Sequence, residues 1–546
     1  MNVTIDRDVS VPMSDGVRLS ADVYRPASAG SRAVIITRTP YLKETERFTL
    51  RAEYFADHGY VYIIQDVRGR GKSQGDFYPF FQEGQDGFDT LTWAASQPWS
   101  NGRLGTIGAS YGAWNQWLTA TIAHPNLVTM ISEASPPDFF QCLPYQGGAF
   151  SLPLLSWLAE LDSHGTAGAN PIQWESVLRG RPLKDLDRAC GHELTAWRDW
   201  LQHDRYDAYW DQIAFNRQMH RVTVPVFHVS GWYDDVLNGT LINYSALKTT
   251  NSIQKLLIGP WPHRLNTTSK FGDIDFGPEG LVDLFGIQRE WFDRWLKDSV
   301  PATSAQTEVD FFVMGSNVWR NVVQWPPSNW DSQSYYLDSR GNSNSSRGDG
   351  KLVARVPMES YSDQFDYDPV NPVPFLTAPG WIQLGGPDDY SEVELREDVL
   401  VYTSDPLDLN LTIAGPIVVH LFAASSGLDT DFTARLIDVY PNGFAMRLND
   451  GIVRAKFRSS YSHPTPIACD RIYEYRIDCW ATAYEFSKGH SIRLEISSSA
   501  FPRYDPNLNS GLPIGTDQNP IVAHQRIFHS SKYPSRLVMP ILRETS

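Results

Sequence analysis

The pentapeptide Gly108-Ala109-Ser110-Tyr111-Gly112 lies directly between a β-rich run, Leu104 to Ile107, and a helical stretch, Tyr111 to Ala123. The letters alone say little, since average usage yields a G-x-S-x-G pattern somewhere in a chain this long with a probability on the order of 0.1 to 0.3. The placement is what constrains the fold. Between strand and helix, a tight turn exposes the serine hydroxyl at a sheet edge, and the glycines remove side chains that would clash there. The bland alternative is an ordinary Gly-rich strand-to-helix turn, so the partners decide.

Runs at Ala33 to Thr37, Tyr60 to Gln65, Leu104 to Ile107 and Leu127 to Ser132 alternate with helical stretches, such as Gly87 to Gln97 with its Gln97-Pro98-Trp99-Ser100-Asn101-Gly102 stop. That alternation predicts a parallel α/β sheet. From about 137 to 222 the strand pattern vanishes and Trp, Leu, Arg and Asp recur at helical spacing, most clearly from Leu183 to Trp210. The sheet pattern returns with Val224 to Val229 and Lys255 to Ile258, then a helix near Gln288 to Lys297. A helical insertion into a parallel sheet reads as a cap.

Pro301 to Thr307 is a small, polar, Pro-led stretch of linker type. Beyond it come short alternating strands: Val309 to Met314, Ile417 to Ala423, Phe432 to Val439, Glu474 to Trp480 and Ser491 to Ile496. These predict an all-β, jelly-roll-like domain. The expected division is residues 1–136 and 223–307 for the α/β part, 137–222 for the cap and 308–546 for the β domain. The loop Arg340 to Gly348 reads as exposed low complexity.

Of the 546 residues, 42% are hydrophobic and 20% charged, the balance of a folded globular chain. With 47 basic against 63 acidic residues the net charge is -16, and no basic stripe offsets it. Such a field repels nucleic acid. The start lacks a basic and apolar leader, and no apolar run approaches a membrane span, so a cytoplasmic protein without a membrane partner is expected. The sequon Asn238-Gly239-Thr240 lies beside the site proposed below, which argues against a glycosylating route. Cys142, Cys190, Cys469 and Cys479 are scattered and read as reduced, buried thiols; Cys469 and Cys479 are the one pair close enough to suggest a local bridge. No metal or other cofactor is implied, because Asp273-Ile274-Asp275 and Asp429-Thr430-Asp431 are isolated acidic pairs. Asp66-Val67-Arg68-Gly69-Arg70-Gly71 lacks a phosphate-loop register and reads as a structural loop with an internal Asp-Arg pairing.

A serine hydroxyl needs a neighbouring base, and the base needs an orienting acid. After Val224 to Val229 comes Ser230-Gly231-Trp232-Tyr233-Asp234-Asp235, and after Lys255 to Ile258 comes Gly259-Pro260-Trp261-Pro262-His263. Acid and histidine thus sit at the ends of successive strands in the chain order Ser, Asp, His. Chemistry at this level does not choose between Asp234 and Asp235. His124, His220 and His228 have no such context.

With these stretches in order, together with Arg38-Thr39-Pro40-Tyr41, Asp66 to Gly75, Ser425 to Phe432 and Phe501-Pro502-Arg503-Tyr504-Asp505, the chain resembles the cocaine esterase and glutaryl acylase group of serine hydrolases, related to the X-Pro dipeptidyl-peptidases. The resemblance covers nearly the whole length. It implies an α/β-hydrolase fold with a helical cap insertion and a C-terminal all-β jelly-roll-like domain, expected to pack over the active-site region and to support self-association, as a dimer. It implies Ser110 as nucleophile, His263 as base and Asp234 as the acid, since the family's acid follows the Gly-Trp-Tyr-like run. It also implies an unusual oxyanion donor, the hydroxyl of Tyr41. Pro40 has no N-H and a phenol stays protonated at neutral pH, which suits that role. The backbone N-H of Tyr111, next after the nucleophile, is the expected second donor.

Trp114, Trp117 and Leu118 share one helix face and read as core. Phe139, Phe140, Tyr145, Trp157, Trp232, Val236 and Trp261 are the candidates for an apolar acyl pocket. The related α-amino-acid ester hydrolases carry carboxylates two and three positions after the acid, to hold a substrate ammonium; here those positions are Val236 and Leu237. The extra N-terminal helical material of X-Pro dipeptidyl-peptidases is also missing. The expected substrate is a small-molecule carboxylic ester with a small to medium apolar or aromatic acyl group. An amide acylase, an X-Pro dipeptidyl-peptidase-type hydrolase and a non-catalytic binding protein are the alternatives.

Overall fold

A computed structural model describes residues 3–136, 140–162, 172–250, 253–297, 308–377 and 385–542. The expected linker at 301–307 and the pocket candidate Phe139 lie outside the described residues. Ten strands of the N-terminal part are β1 (Val3–Pro12), β2 (Arg18–Pro26), β3 (Arg32–Thr39), β4 (Val61–Asp66), β5 (Ser100–Ala109), β6 (Leu127–Glu133), β7 (Val226–Tyr233), β8 (Gln254–Pro262), β9 (Glu308–Val313) and β10 (Val318–Val322). They form one sheet in the order β1-β2-β4-β3-β5-β6-β7-β8-β9-β10. Strands β3 to β9 pair in parallel, and antiparallel strands close both edges.

Parallel strands covered on both faces are largely apolar, and β3, β4 and β8 carry the runs Ala33 to Ile36, Val61 to Ile64 and Leu256 to Ile258, while buried polar residues of β7 such as His228 and Ser230 are hydrogen-bonded inside. On one face α1 (Glu46–Asp57) and α8 (Leu284–Leu296) pack over Ile35, Tyr62 and Ile107. On the other, α2 (Glu83–Ala95) and α3 (Tyr111–Ala120) pack over Val34, Ile63 and Leu104. The cap carries α4 (Leu154–Asp162), α5 (Trp174–Leu178) and α6 (Thr195–Gln202), and α7 (Leu237–Leu247) follows β7. The periodic stretch from Leu183 to Trp210 is broken into short helices rather than one.

In the all-β domain, Leu411–Ser425 pairs antiparallel with Tyr473–Phe486, Ala523–His529 and Arg536–Leu542, while Asp431–Val439 lies between Ala445–Arg454 and Ser491–Ser497. The run at Val309 to Met314, expected to open this domain, instead extends the first sheet: β9 runs parallel to β8, with Lys255 opposite Glu308 and Ile258 opposite Phe311. Val309, Phe311, Phe312 and Val313 are all buried, as a strand covered on both faces requires. One apolar core continues from Trp232, Leu256 and Phe311 into Ile413, Leu436 and Tyr484 of the β domain, so the two sheets share their interior.

Three smaller expectations are corrected. All four cysteines are free thiols, but only Cys142 and Cys479 are buried; Cys190 is half-buried and Cys469 exposed, on a loop whose apolar contact with the β core is made by Ile467. Ser343 and Ser345 of the low-complexity loop are buried, the Ser343 N-H donating to Asp363 (3.1 Å). Asp66 accepts the Lys43 N-H (2.7 Å), while Arg68 pairs with Asp86 (2.6 Å) and Asp15 (2.8 Å), so the loop's ion pairs reach outside it. No helix among the described residues is long and apolar enough to cross a membrane.

Candidate active site

Ser110 occupies the turn between β5 and α3 with φ 58° and ψ -118°, a conformation that side-chain-bearing residues seldom adopt. The turn closes on itself: a Cβ on Gly108 would lie 2.6 Å from the Gly112 carbonyl oxygen. Only glycine permits that approach. The Ser110 N-H donates to the Glu133 carbonyl (3.0 Å) at the end of β6, and its own carbonyl accepts from Ala113 and Trp114 (3.0 Å each). Glu133 is itself fixed by Arg51 (2.9 and 3.0 Å) and Gln288 (2.6 Å). Trp114 and Trp117 are fully buried under the helix, as their spacing predicts.

The Tyr111 phenol donates to Glu83 (2.7 Å) and accepts from the Phe80 N-H (3.1 Å), with Arg38 paired to Glu83 (2.9 Å). The side chain is thereby locked at the first position of α3. Its backbone N-H belongs to the first helical turn, where no intrahelical acceptor exists.

At the end of β7, Asp234 is almost wholly buried and accepts from the Ser230 hydroxyl (2.6 Å) and the Val236 N-H (3.2 Å). His263, just past the end of β8, places Nδ1 2.7 Å from Asp234 Oδ1. Burial pulls the imidazole pKa down, but the charge and hydrogen bond of Asp234 outweigh it and the net shift is upward from 6.5. This bond distinguishes Asp234 from its neighbour. Asp235 lies half-buried at a shallow cleft between the two sheets, where Arg447 and Arg503 also stand.

Tyr41 lies just past the end of β3, its N-H donating to Thr39 Oγ1 (3.0 Å). The Trp157 indole Nε1-H donates to its phenol oxygen (3.1 Å), and the nearby Ser110 hydroxyl acts to lower the phenol pKa. Burial, the largest influence, raises the phenol above its ordinary pKa of 10, so it keeps its proton at neutral pH. The Arg47 guanidinium sits 5.0 Å over the Tyr41 ring and adds positive potential beside the serine. Ser110, His263, Asp234, Tyr41 and Tyr111 thus all lie at the ends of β3, β5, β7 and β8, the edge at which parallel sheets present their chemistry.

The apolar pocket candidates fare differently. Phe140 and Tyr145 are buried in the cap core, edge-on to Trp210, and the Tyr145 hydroxyl donates to the Trp200 carbonyl (2.9 Å). Trp261 is fully buried with its N-H on the Gly280 carbonyl (2.6 Å), and Trp232 donates to Phe312 (2.6 Å). Val236 is buried beside Ala134 and Cys142. These are packing residues whose polar atoms are satisfied inside the protein, with Trp232 alone among them also touching the interdomain cleft. Trp157 sits at the site through its bond to Tyr41. Sequence reasoning missed Trp157's donor role, Ser230 and Glu133. Ser230 carried a legible signal, since it stands four residues before the acid on the same strand end.

The X-Pro dipeptidyl-peptidase (S15 family) pattern matches residues 15–264, and that of the X-Pro dipeptidyl-peptidase C-terminal non-catalytic domain matches residues 302–538. Cocaine esterase of Rhodococcus sp. (strain MB1 Bresler) is 33% identical over 574 aligned positions, covering 99% of both chains. The chain belongs to the cocaine esterase group of the X-Pro dipeptidyl-peptidase (S15) family. Like other members it is a hydrolase with an α/β-hydrolase domain followed by an all-β domain. Among solved structures, an aminopeptidase from the marine sediment archaeon Thaumarchaeota archaeon superposes with TM-score 0.88 at 26% identity, covering 100% of this chain and 97% of that one. An α-amino acid ester hydrolase gives 0.87 at 26% identity, covering 99% and 97%.

Proposed function

We propose that the protein is a serine esterase that hydrolyses carboxylic esters of small to medium apolar or aromatic acyl groups through an acyl-enzyme. The observation that carries this is the 2.7 Å bond from His263 to a buried, doubly anchored Asp234, at the same sheet edge as a serine held in a strained turn. His263 takes the Ser110 proton as Oγ attacks the ester carbonyl, and Asp234 orients the ring and stabilises the imidazolium. Tyr41 Oη-H and the Tyr111 N-H donate to the tetrahedral oxyanion. The intermediate collapses as His263 protonates the departing alkoxide. Water then attacks the acyl-enzyme with His263 again as base, releasing the acid and free Ser110.

Two relatives by fold are named for amino-acid substrates, an aminopeptidase and an α-amino acid ester hydrolase. A substrate ammonium needs a carboxylate to meet it, and Val236 and Leu237 are buried apolar residues. Asp450 at the interdomain cleft is matched by base, pairing with Arg447 (2.7 Å) and Arg503 (2.5 Å). An uncharged ester is therefore favoured over an amino-terminal substrate.

The test is intact mass and peptide mapping after a fluorophosphonate, beside Ser110→Ala, followed by aryl and alkyl esters and matched α-amino esters. One adduct on Ser110, absent from the variant, with faster turnover of uncharged esters, is expected. No adduct on folded protein overturns the reading in favour of a binding protein.

A further inference from the structure

Trp157 belongs to the cap, yet its indole N-H is spent on a side chain of the other domain part. The ring is 7% exposed and packs parallel to Trp200 (6.3 Å between centroids, 15°) and Phe80 (6.3 Å, 17°), so it has one position. Its Nε1-H meets the Tyr41 phenol oxygen at 3.1 Å. An indole can only donate, so the phenol oxygen accepts there. A phenol proton prefers the plane of its ring, which leaves two directions. With one taken by the indole, the proton is left the other, away from the cap residue.

A second tie holds the same two segments. Arg70 is buried and donates to the Pro40 carbonyl (2.9 Å), next to Tyr41, and to the carbonyl of Leu161 at the end of α4. The Gly-rich loop that carries no phosphate register thus clamps the Tyr41 turn to the helix bearing Trp157.

We propose that Trp157 is a positioning residue for the oxyanion donor: the cap, through this one N-H, aims the Tyr41 proton at the reacting carbonyl oxygen. The proposal rests on the reading of Tyr41 as an oxyanion donor. Trp157 acts in the acylation and deacylation transition states, where the oxyanion forms, and not in ground-state binding. Losing its N-H therefore lowers kcat and leaves KM unchanged.

The experiment is a double-mutant cycle in steady-state ester hydrolysis with Trp157→Phe, Tyr41→Phe and the pair, with thermal melts on each. Because phenylalanine also removes ring area, Trp157 is replaced in parallel by 3-benzothienylalanine, which exchanges the N-H for sulfur at nearly unchanged shape. Both replacements are expected to lower kcat about tenfold in the wild-type background and less than about twofold in the Tyr41→Phe background. Equal losses in both backgrounds, or a rise in KM alone, overturn the proposal and make Trp157 a substrate-packing residue. A benzothienylalanine protein with wild-type kcat also overturns it. Tyr41→Phe at the wild-type rate removes instead the oxyanion reading beneath it, and so the two failures are told apart.

Discussion

Asp234 and Asp235 differ by one position and by nothing in their chemistry, so the distinction between them is made by what each carboxylate meets. Asp234 has Ser230, the Val236 N-H and His263, whereas Asp235 stands near Arg503 at the interdomain cleft. Asp234→Asn is expected to lower kcat by about 10³- to 10⁴-fold and Asp235→Asn by less than about tenfold, read from steady-state hydrolysis of one aryl ester. The pH profile carries a further sign. His263 works as a base only when neutral, and its pKa is raised from 6.5 chiefly because Asp234 outweighs burial. The rate should therefore fall on the acid side with a midpoint above 6.5, and the residual activity of Asp234→Asn should show that midpoint at lower pH. Tyr41→Phe should cost about 10²-fold in kcat, as loss of one oxyanion donor does elsewhere. Ser110, Asp234, His263 and Tyr41 were legible because reactive side chains stand at strand ends in a fixed order. The pocket was not, because an aromatic residue near a strand end looks the same whether it lines a cavity or fills a core. Trp261 and Phe140 became core only when their neighbours came from distant segments.

At the scale of elements, the elbow depends on the contact between Gly108 and Gly112. Gly108→Ala places a methyl group 2.6 Å from a backbone oxygen and must displace Ser110. Activity is expected to drop by about 10²-fold, since a shift of an ångström at a reacting atom is worth that much, and the fluorophosphonate labelling rate should fall with it. A second close approach secures the cap. The short strands Tyr145–Gln146 and Ala149–Phe150 are joined by Gly147 and Gly148, at φ 56° and 89°, and a Cβ on Gly147 would lie 1.9 Å from the Ile452 carbonyl oxygen of the β domain. Gly147→Ala is expected to destabilise the protein by about 1–3 kcal/mol in thermal melts. The strand-helix alternation of the first sheet was readable from period and length. The placement of β9 was not, because a short apolar run looks alike in a parallel sheet and in a sandwich, and only its pairing with Lys255 to Ile258 separates them.

Across the whole molecule, the junction of cap and β domain is held by a buried ionic knot. Arg454 is wholly buried and pairs with Asp431 (2.8 Å) and Asp505 (2.9 Å), while the Phe150 N-H of the cap hairpin donates to the same Asp505 (2.8 Å). Arg454→Ala strands two carboxylates inside the protein and should cost about 3–5 kcal/mol, seen as an earlier melt. Asp505→Asn, which keeps an acceptor for Phe150, should cost less. The knot also sets an order in time. Phe150 leaves the ribosome 355 residues before the aspartate that receives its N-H. At roughly 5–20 residues per second, that interval is about 20–70 s. During it the residues that hold Trp157 over Tyr41, from Arg70 to Trp200, are already made, while the cap hairpin still lacks the aspartate that receives its N-H. The seating of the cap hairpin on the β domain is therefore among the last contacts a newly made chain can form.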